Sequence, residues 1–366
     1  MRNPLKGILL KRLDWYIVRK FLGTYFFSIL LIVAISVVFD FNEHIDKLKE
    51  ATAHEVIFQY YLNFIPYFIN MFSPLFVFIT VIFFTSRLAA NSEIIAILSS
   101  GISYRRMLVP YIAAATLIAL FSLGLNLYVI PSANEKRVEF EEQYIKHKSN
   151  NKLKNIHYQI APGQFVFVES FSTWNNTAYK MTLESMEENR LVSKLSAESA
   201  AWDSTSGSWH MRKYMIRDYN EGLQDKVRCG EQLDTVIALT VTDFYRNENT
   251  IEALTIDQLN ELIETQKMRG DANVMYAQIE KQRRMTLPFS AIILTIMGVA
   301  LTSRKKRGGT GWNIALGIGL AFMYILFLRF SEMFVYTGVM SAAAALWLPN
   351  VVYTLIAAIL YKIAPK

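Results

Sequence analysis

Charged residues along this chain stand apart from long apolar blocks. Six stretches contain no Asp, Glu, Lys or Arg: Phe21–Phe39, Val56–Ser86, Met107–Asn134, Met285–Ser303, Gly308–Leu328 and Met333–Tyr361. Each is long enough to cross a bilayer as a helix, which takes ~20 residues. The last is predicted to turn at Gly338 and to span from Ala342 to Tyr361. Between the third and fourth blocks lies a polar region, Glu135–Arg284, about the size of one soluble domain.

Inside that region the pattern shortens to alternating runs. Ile156–Ile160, Gln164–Phe171, Ala178–Met186, Leu191–Trp202, Trp209–Tyr219 and Leu223–Arg228 read as strands. Pro162-Gly163, Asn175-Asn176, Glu188-Asn189, Ser206-Gly207 and Asn220-Glu221-Gly222 read as the turns between them. Successive hairpins predict an antiparallel sandwich or open barrel. Thr255-Ile-Asp-Gln258 reads as a capping box opening a helix through Met268, stopped at Gly270. A second helix is predicted from Asp271 into the fourth span. The expected fold is an α-helical membrane protein with six spans, three and three, around an inserted all-β domain. The expected divisions are 1–134, 135–270 and 271–366.

One short segment between the second and third spans, Arg87–Arg106, has helical periodicity of its own. Ile94, Ile97 and Leu98 share a face, with Ile95 and Ile102 beside them. Asn91 or Ser92 is placed to cap its first amides, Glu93 suits the positive end of the helix dipole, and Gly101 is the expected stop. Two readings stand: a connector resting on the membrane surface, or a docking helix for a cytoplasmic motor. Upstream, Met1–Lys20 mixes Leu9, Leu10, Leu13, Tyr16 and Ile17 with basic residues. It reads as a surface helix turning into an uncleaved first span.

Charge then orients the spans. Arg2, Lys6, Lys11, Arg12, Arg19 and Lys20 precede the first; Arg87, Arg105 and Arg106 join the second to the third. Arg304–Arg307 join the fourth to the fifth, and Lys362 and Lys366 follow the sixth, whereas Asp40–Glu55 is mostly acidic. Basic connections stay in the cytoplasm. Both termini and Arg87–Arg106 are therefore expected inside, with Glu135–Arg284 outside. The net charge of +7 follows from this topology and makes no case for nucleic acid. The single cysteine, Cys229, cannot form an internal disulfide and reads as a strand residue. His44 beside Asp40 and Glu43 lacks a second histidine at ligand spacing, so it reads as part of a solvated helix end.

Polar residues inside the spans carry the remaining candidates. Gln59, Asn63 and Asn70, with Pro66 and Pro74, predict a bent second span whose amides face other helices. Gly317 and Gly319 permit close packing of the fifth. Arg329 and Glu332 are spaced to meet within it, either as a self-satisfied pair or facing a ligand. Lys281, Arg283 and Arg284 precede the fourth span, either snorkelling to headgroups or forming an anion site.

Arg87-Leu-Ala-Ala-Asn-Ser-Glu-Ile-Ile-Ala-Ile-Leu-Ser-Ser-Gly-Ile-Ser103 resembles the coupling helix of the LptF/LptG (YjgP/YjgQ) permeases of the lipopolysaccharide exporter. Val129-Ile-Pro-Ser-Ala-Asn134, Arg284-Met-Thr-Leu-Pro-Phe289 and Trp347-Leu-Pro-Asn350 are similar to its later signatures. The resemblance implies a β-jellyroll-like outer domain and an inner-membrane half-transporter that binds no cofactor itself. It implies a paralogous permease as heterodimer partner, a cytoplasmic ABC ATPase dimer that uses the ATP, and a bitopic periplasmic jellyroll protein. Lateral gates would form at the first and fifth spans. On this chain Glu93, Ile94, Ile97, Leu98 and Gly101 would couple to the ATPase. A cavity for lipid A needs an apolar wall topped by cations, for which Lys47, Lys49, Lys136, Arg137, Arg283, Arg284 and Arg329 are the candidates. Asp40 and Glu43 depart from the family, where basic residues are expected.

Two other functional classes compete with this reading. A lipid-modifying enzyme needs convergent acid, base or metal ligands, and the five histidines are scattered. A mechanotransmitting ABC subunit or scaffold acting on another lipid or lipoprotein would share the topology and differ in its cargo.

Overall fold

The computed structural model describes residues 12–145, 152–188, 190–219, 224–245, 248–271, 273–303 and 309–364. The chain separates into two compact units. One holds residues up to Arg137 together with Gln278 onward, and the other holds Val138–Ala277.

The first unit is helical. Its elements are α1 (Arg12–Leu48), α2 (Ala53–Ala90), the short α3 (Glu93–Ser99) and α4 (Tyr104–Ile145), which runs on into the second unit. Among the described residues six helices are long and apolar enough to cross a membrane. The first does not begin at a surface segment: Arg12–Lys20 already belongs to α1, and residues 1–11 lie outside the described residues. Charged flanks interrupt an apolar run without interrupting helical hydrogen bonding, so α1 extends past the predicted block at both ends.

The organising helix is α2. Its Val77, Val81, Phe84 and Leu88 pack with Phe21, Tyr25 and Ile29 of α1 and with Met107, Tyr111 and Ala115 of α4. Its Leu75, Phe78 and Ile82 pack with Leu294, Met297, Ala321, Tyr324 and Tyr353 of the last three spans. Accordingly 61% of its most apolar window is buried, against 17% for α1. Of its amides, only Asn70 is buried between helices. The Nδ2 of Asn70 donates to Asn126 Oδ1 at 2.9 Å, and the Ser122 hydroxyl donates to Asn70 Oδ1 at 2.5 Å. Asn126 lies in a π-helical turn, Leu125–Val129, whose wider winding is common where a helix carries a special side chain. Asn63 bonds back to its own helix instead.

The second unit is built on one antiparallel sheet in sequential order. Its strands are β1 (Lys152–Ala161), β2 (Gln164–Ser172), β3 (Thr177–Glu187), β4 (Arg190–Asp203), β5 (Ser208–Asp218) and β6 (Lys226–Thr235). The first five match the alternating runs. The sixth was expected at Leu223–Arg228 and lies later, because it is an edge strand exposed on both faces and has no alternation to read. Residues 220–223 fall outside the described residues. Cys229 is an exposed residue of β6. Val166, Val168, Met181, Ala200, Trp209 and Met211 form the core with Leu239 and Phe244. Phe244 belongs to α5 (Val241–Tyr245) and stacks on Phe171 at 4.2 Å, and Trp209 donates to the Leu239 carbonyl at 2.8 Å. After α6 (Glu248–Glu252), helix α7 (Ile256–Met268) opens with the predicted Thr255–Gln258 capping box. At the end of the sheet His210 lies between Asp234 and Asp203, whose carboxylates raise its pKa.

A crease crosses the whole sheet. Asn155, Glu169, Lys180, Glu198, Lys213 and Glu231 face one another in a single row, and the paired register passes over that row between every two strands. Asn155, Lys180 and Lys213, on alternate strands, have left-handed backbones with φ of 53°, 48° and 48°. Core residues consequently stand three apart across the row: Val168 and Phe171, Ala178 and Met181, Ala197 and Ala200. Lys180 pairs with Glu169 at 2.7 Å and Lys213 with Glu198 at 2.8 Å, so the crease is lined by alternating charge. A β-branched residue tolerates positive φ poorly. Lys180→Val should therefore lower the melting temperature of the detergent-solubilised protein by several degrees, although valine favours strands. Lys180→Gly should cost clearly less. Equal losses, measured by thermal unfolding, would remove backbone strain from the crease.

The remaining spans are α8 (Val274–Thr302), α9 (Gly309–Tyr336) and α10 (Ala342–Ile363). The α9–α10 turn lies around Gly338, as predicted. In α9 a Cβ on Gly317 would stand 2.1 Å from Ile82 Cδ1, so glycine there lets α9 approach α2, while Gly319 has open space.

Candidate functional site

Two places in the helical unit gather the candidate residues. The first is α3. Its start differs from expectation: Ser92 takes a left-handed φ of 63° and makes no side-chain cap. Asn91 ends α2 and donates instead to Glu93 Oε1 at 3.3 Å. The stop is as expected, with Gly101 at φ 85°. The helix faces divide its apolar residues. Ile94 is fully buried, and Ile97 and Leu98 pack on the same core of α1, α2 and α4. Ile95, Ala96 and Ser99 are exposed. The face grouped by periodicity is thus the one that fastens α3 to its own chain, and the free face carries Ile95.

Polar contacts fasten it further. The Tyr16 hydroxyl of α1 donates to Glu93 Oε2 over a long 3.5 Å. Close in sequence on both sides, Arg106 donates twice to Asp14, Nη1 to Oδ1 at 2.8 Å and Nη2 to Oδ2 at 2.6 Å. This parallel pair is the strongest geometry available to a guanidinium and a carboxylate. It ties the start of α1 to the start of α4, on either side of α3 in the chain.

The second place is an ion-pair cluster between α8 and α9. Glu280 Oε1 accepts from Arg284 Nε at 2.8 Å, and its Oε2 accepts from Arg283 at 3.3 Å. Glu332 Oε1 accepts from Arg283 at 3.0 Å, and its Oε2 accepts from Arg329 at 3.0 Å. Among the described contacts, three guanidiniums meet two carboxylates. Arg284 is buried within the cluster, whereas the Arg329 side chain is 51% exposed. Arg329 is therefore the cation that the cluster presents outward.

The other candidate cations stand differently. Lys47 and Lys136 are exposed, and Lys49 is exposed and paired with Asp46 at 2.8 Å. Arg137 is buried with its guanidinium 4.7 Å from the centre of the Tyr67 ring. Asp40 and His44 do not form a freely solvated helix end. Asp40 accepts from the Tyr60 and Tyr61 hydroxyls, each at 3.1 Å, with His44 Nδ1 3.3 Å away. Among the described residues no group of His, Cys, Asp and Glu side chains is placed to hold a metal ion.

Comparison with known families decides what this constellation belongs to. The sequence model of the lipopolysaccharide export system permease LptF/LptG matches residues 15–363. The chain belongs to the LptF/LptG family. No curated protein matches it. An LptF/LptG permease is a multi-pass inner-membrane transport subunit that works with other components of the lipopolysaccharide export system. The match includes α3, the α8–α9 cluster and the whole sheet unit, so neither place is an addition to the family frame.

Sequence reading missed two partners in these sites. Glu280 stands three and four residues before Arg283 and Arg284, a helical spacing that is the local signal for both pairs. Asp14 gave no local signal, because its partner is ninety-two positions away.

Proposed function

We propose that this LptF/LptG permease is one half of the membrane channel of an ABC exporter that lifts lipopolysaccharide from the outer leaflet of the inner membrane. It passes the lipid to a periplasmic β-jellyroll bridge. A paralogous permease completes the channel, and a bitopic jellyroll protein joins it. A separate cytoplasmic ATPase dimer supplies the work, and this chain binds no cofactor. Both termini and α3 lie in the cytoplasm and the sheet unit in the periplasm, the orientation that the Lys and Arg positions favour.

The observation that carries this reading is the division of α3. One face is locked into the core by Ile94, Ile97 and Leu98, and Glu93 is tied to α1. Ile95, Ala96 and Ser99 remain on the other face. A rigid helix with one free apolar side chain transmits force, because a push on it moves the spans beneath. Ile94, Ile97, Leu98 and Gly101 then position the lever, and Ile95 and Glu93 receive the push.

Ile95→Asp should weaken retention of the ATPase on the purified permease complex about tenfold or more, the loss expected when an interface anchor becomes a charge. Lys49→Ala should leave retention unchanged. Full retention and full lipopolysaccharide release by Ile95→Asp would remove α3 from coupling. Arg329, half free above its carboxylate, is the residue assigned to a lipid A phosphate. Arg329→Ala should reduce crosslinking of lipopolysaccharide to the channel several-fold while barely changing stability. Unchanged crosslinking would return Arg329 and Glu332 to a purely structural pair.

A further inference from the structure

The sheet unit carries a groove of about 670 Å³ that the transport reading leaves unused. It lies within the roughly 300–1,000 Å³ usual for small-molecule sites. Two adjacent rows of the sheet form it. In one, His157, Phe167 and Thr182 stand side by side; in the next, Gln159, Phe165, Glu184 and Lys194 do. These side chains alternate with Val166 and Leu195 of the core, so they occupy the opposite face of the sheet.

The lining has a specific chemistry. Phe165 is exposed although it is a large apolar ring, and Phe167 packs against His157 with ring centres 4.5 Å apart and planes tilted by 39°. Around this aromatic floor the charges are already balanced. Lys194 donates to Glu184 at 2.8 Å, and Arg269 pairs with Asp243 at 2.9 Å. A groove for a phosphate would hold uncompensated cations; this one offers flat apolar rings beside a fixed donor–acceptor pair and the Thr182 hydroxyl. An uncharged ring with one apolar face and a rim of hydroxyls fits that arrangement. Its C–H face covers the phenyl rings, and neighbouring hydroxyls bridge the Glu184 carboxylate and the Lys194 ammonium.

We propose that this groove is a sugar-binding site that takes a pyranose ring of a glycan on Phe165 and Phe167. The ring chemistry rests on the groove alone. Naming the glycan as the oligosaccharide of lipopolysaccharide rests on the transport reading above.

The test is saturation-transfer NMR on the full-length protein in detergent, with lipid-free oligosaccharide released from lipopolysaccharide by mild acid. A soluble peptidoglycan fragment serves as the second probe. Transfer to ring protons of the lipopolysaccharide oligosaccharide is expected at millimolar concentration. It should weaken about tenfold in Phe165→Ala and in Glu184→Gln. Phe165→Leu keeps the apolar bulk but not the flat ring, and should lose binding while melting like the parent. No transfer in the parent protein, or transfer equal in all three variants, would overturn the site. Transfer to the peptidoglycan fragment alone would overturn the assignment of the glycan. Binding to this groove needs no ATPase, so its failure is separable from a failure of α3 to couple.

Discussion

Glu332→Ala should destabilise the helical unit more than any other single change in the α8–α9 cluster. Its carboxylate is only 5% exposed and accepts from two guanidiniums that belong to different helices. Removing it takes from Arg283 and Arg329 the carboxylate that they share. Breaking a buried pair from one side costs about 3–5 kcal/mol, because the stranded charge keeps its desolvation penalty. Arg329 can turn to solvent, so its share is small, and the loss falls at about 3 kcal/mol, mostly through Arg283. Glu332→Gln keeps the shape and one acceptor but not the charge, and should recover only a minor part. The double replacement Glu332→Ala with Arg283→Ala should be less damaging than the sum of the two singles, since neither of the two then strands the other. Thermal unfolding of the four proteins in detergent measures this. Additive losses would mean that Arg283 and Glu332 do not depend on one another.

That cluster also explains why some of this protein was legible from its sequence. The spans were, because twenty apolar residues without charge have few other destinations than a bilayer. Helix ends were less so: Arg12 to Lys20 and Asp40 to Leu48 continue α1 through charged residues, of which Asp14 and Asp40 find partners on other helices. The amphipathic pattern of α3 revealed an apolar face and left open whether that face belonged to the protein or to a partner. Only the packing of Ile94 and the exposure of Ile95 separate those. Five strands obeyed alternation over most of their lengths. None could reveal the crease, where a left-handed Asn155, Lys180 or Lys213 resets the alternation. Lys180 and Lys213 read from sequence as ordinary polar strand residues, and Asn155 falls just before the first predicted strand. The sign of a charge marks the guanidiniums in the sequence but not Glu280, the carboxylate that offsets the burial of two of them.

Arg106→Ala should uncouple the two ends of the permease, and it should cost more stability than Asp14→Ala. The two residues share a bidentate pair with unequal exposure: 28% for the Arg106 side chain and 5% for that of Asp14. Losing Asp14 leaves a guanidinium that water can reach, at about 1–2 kcal/mol. Losing Arg106 leaves a carboxylate at a buried position without its guanidinium, at about 3 kcal/mol, near the lower limit for buried pairs. The functional consequence follows from position. Arg106 begins α4, Asp14 begins α1, and α3 lies between α2 and α4 with Glu93 bonded to Tyr16 on the same turns of α1. A force received at Ile95 reaches α1 only while those turns are held. In the reconstituted exporter, Arg106→Ala should therefore retain the ATPase and hydrolyse ATP while releasing several-fold less lipopolysaccharide per ATP. Arg106→Lys, which keeps the charge but not the fork, should fall between the two. If Arg106→Ala instead melts with the parent and keeps its yield of lipid per ATP, the start of α1 is not a moving part, and α3 acts on the second and third spans alone.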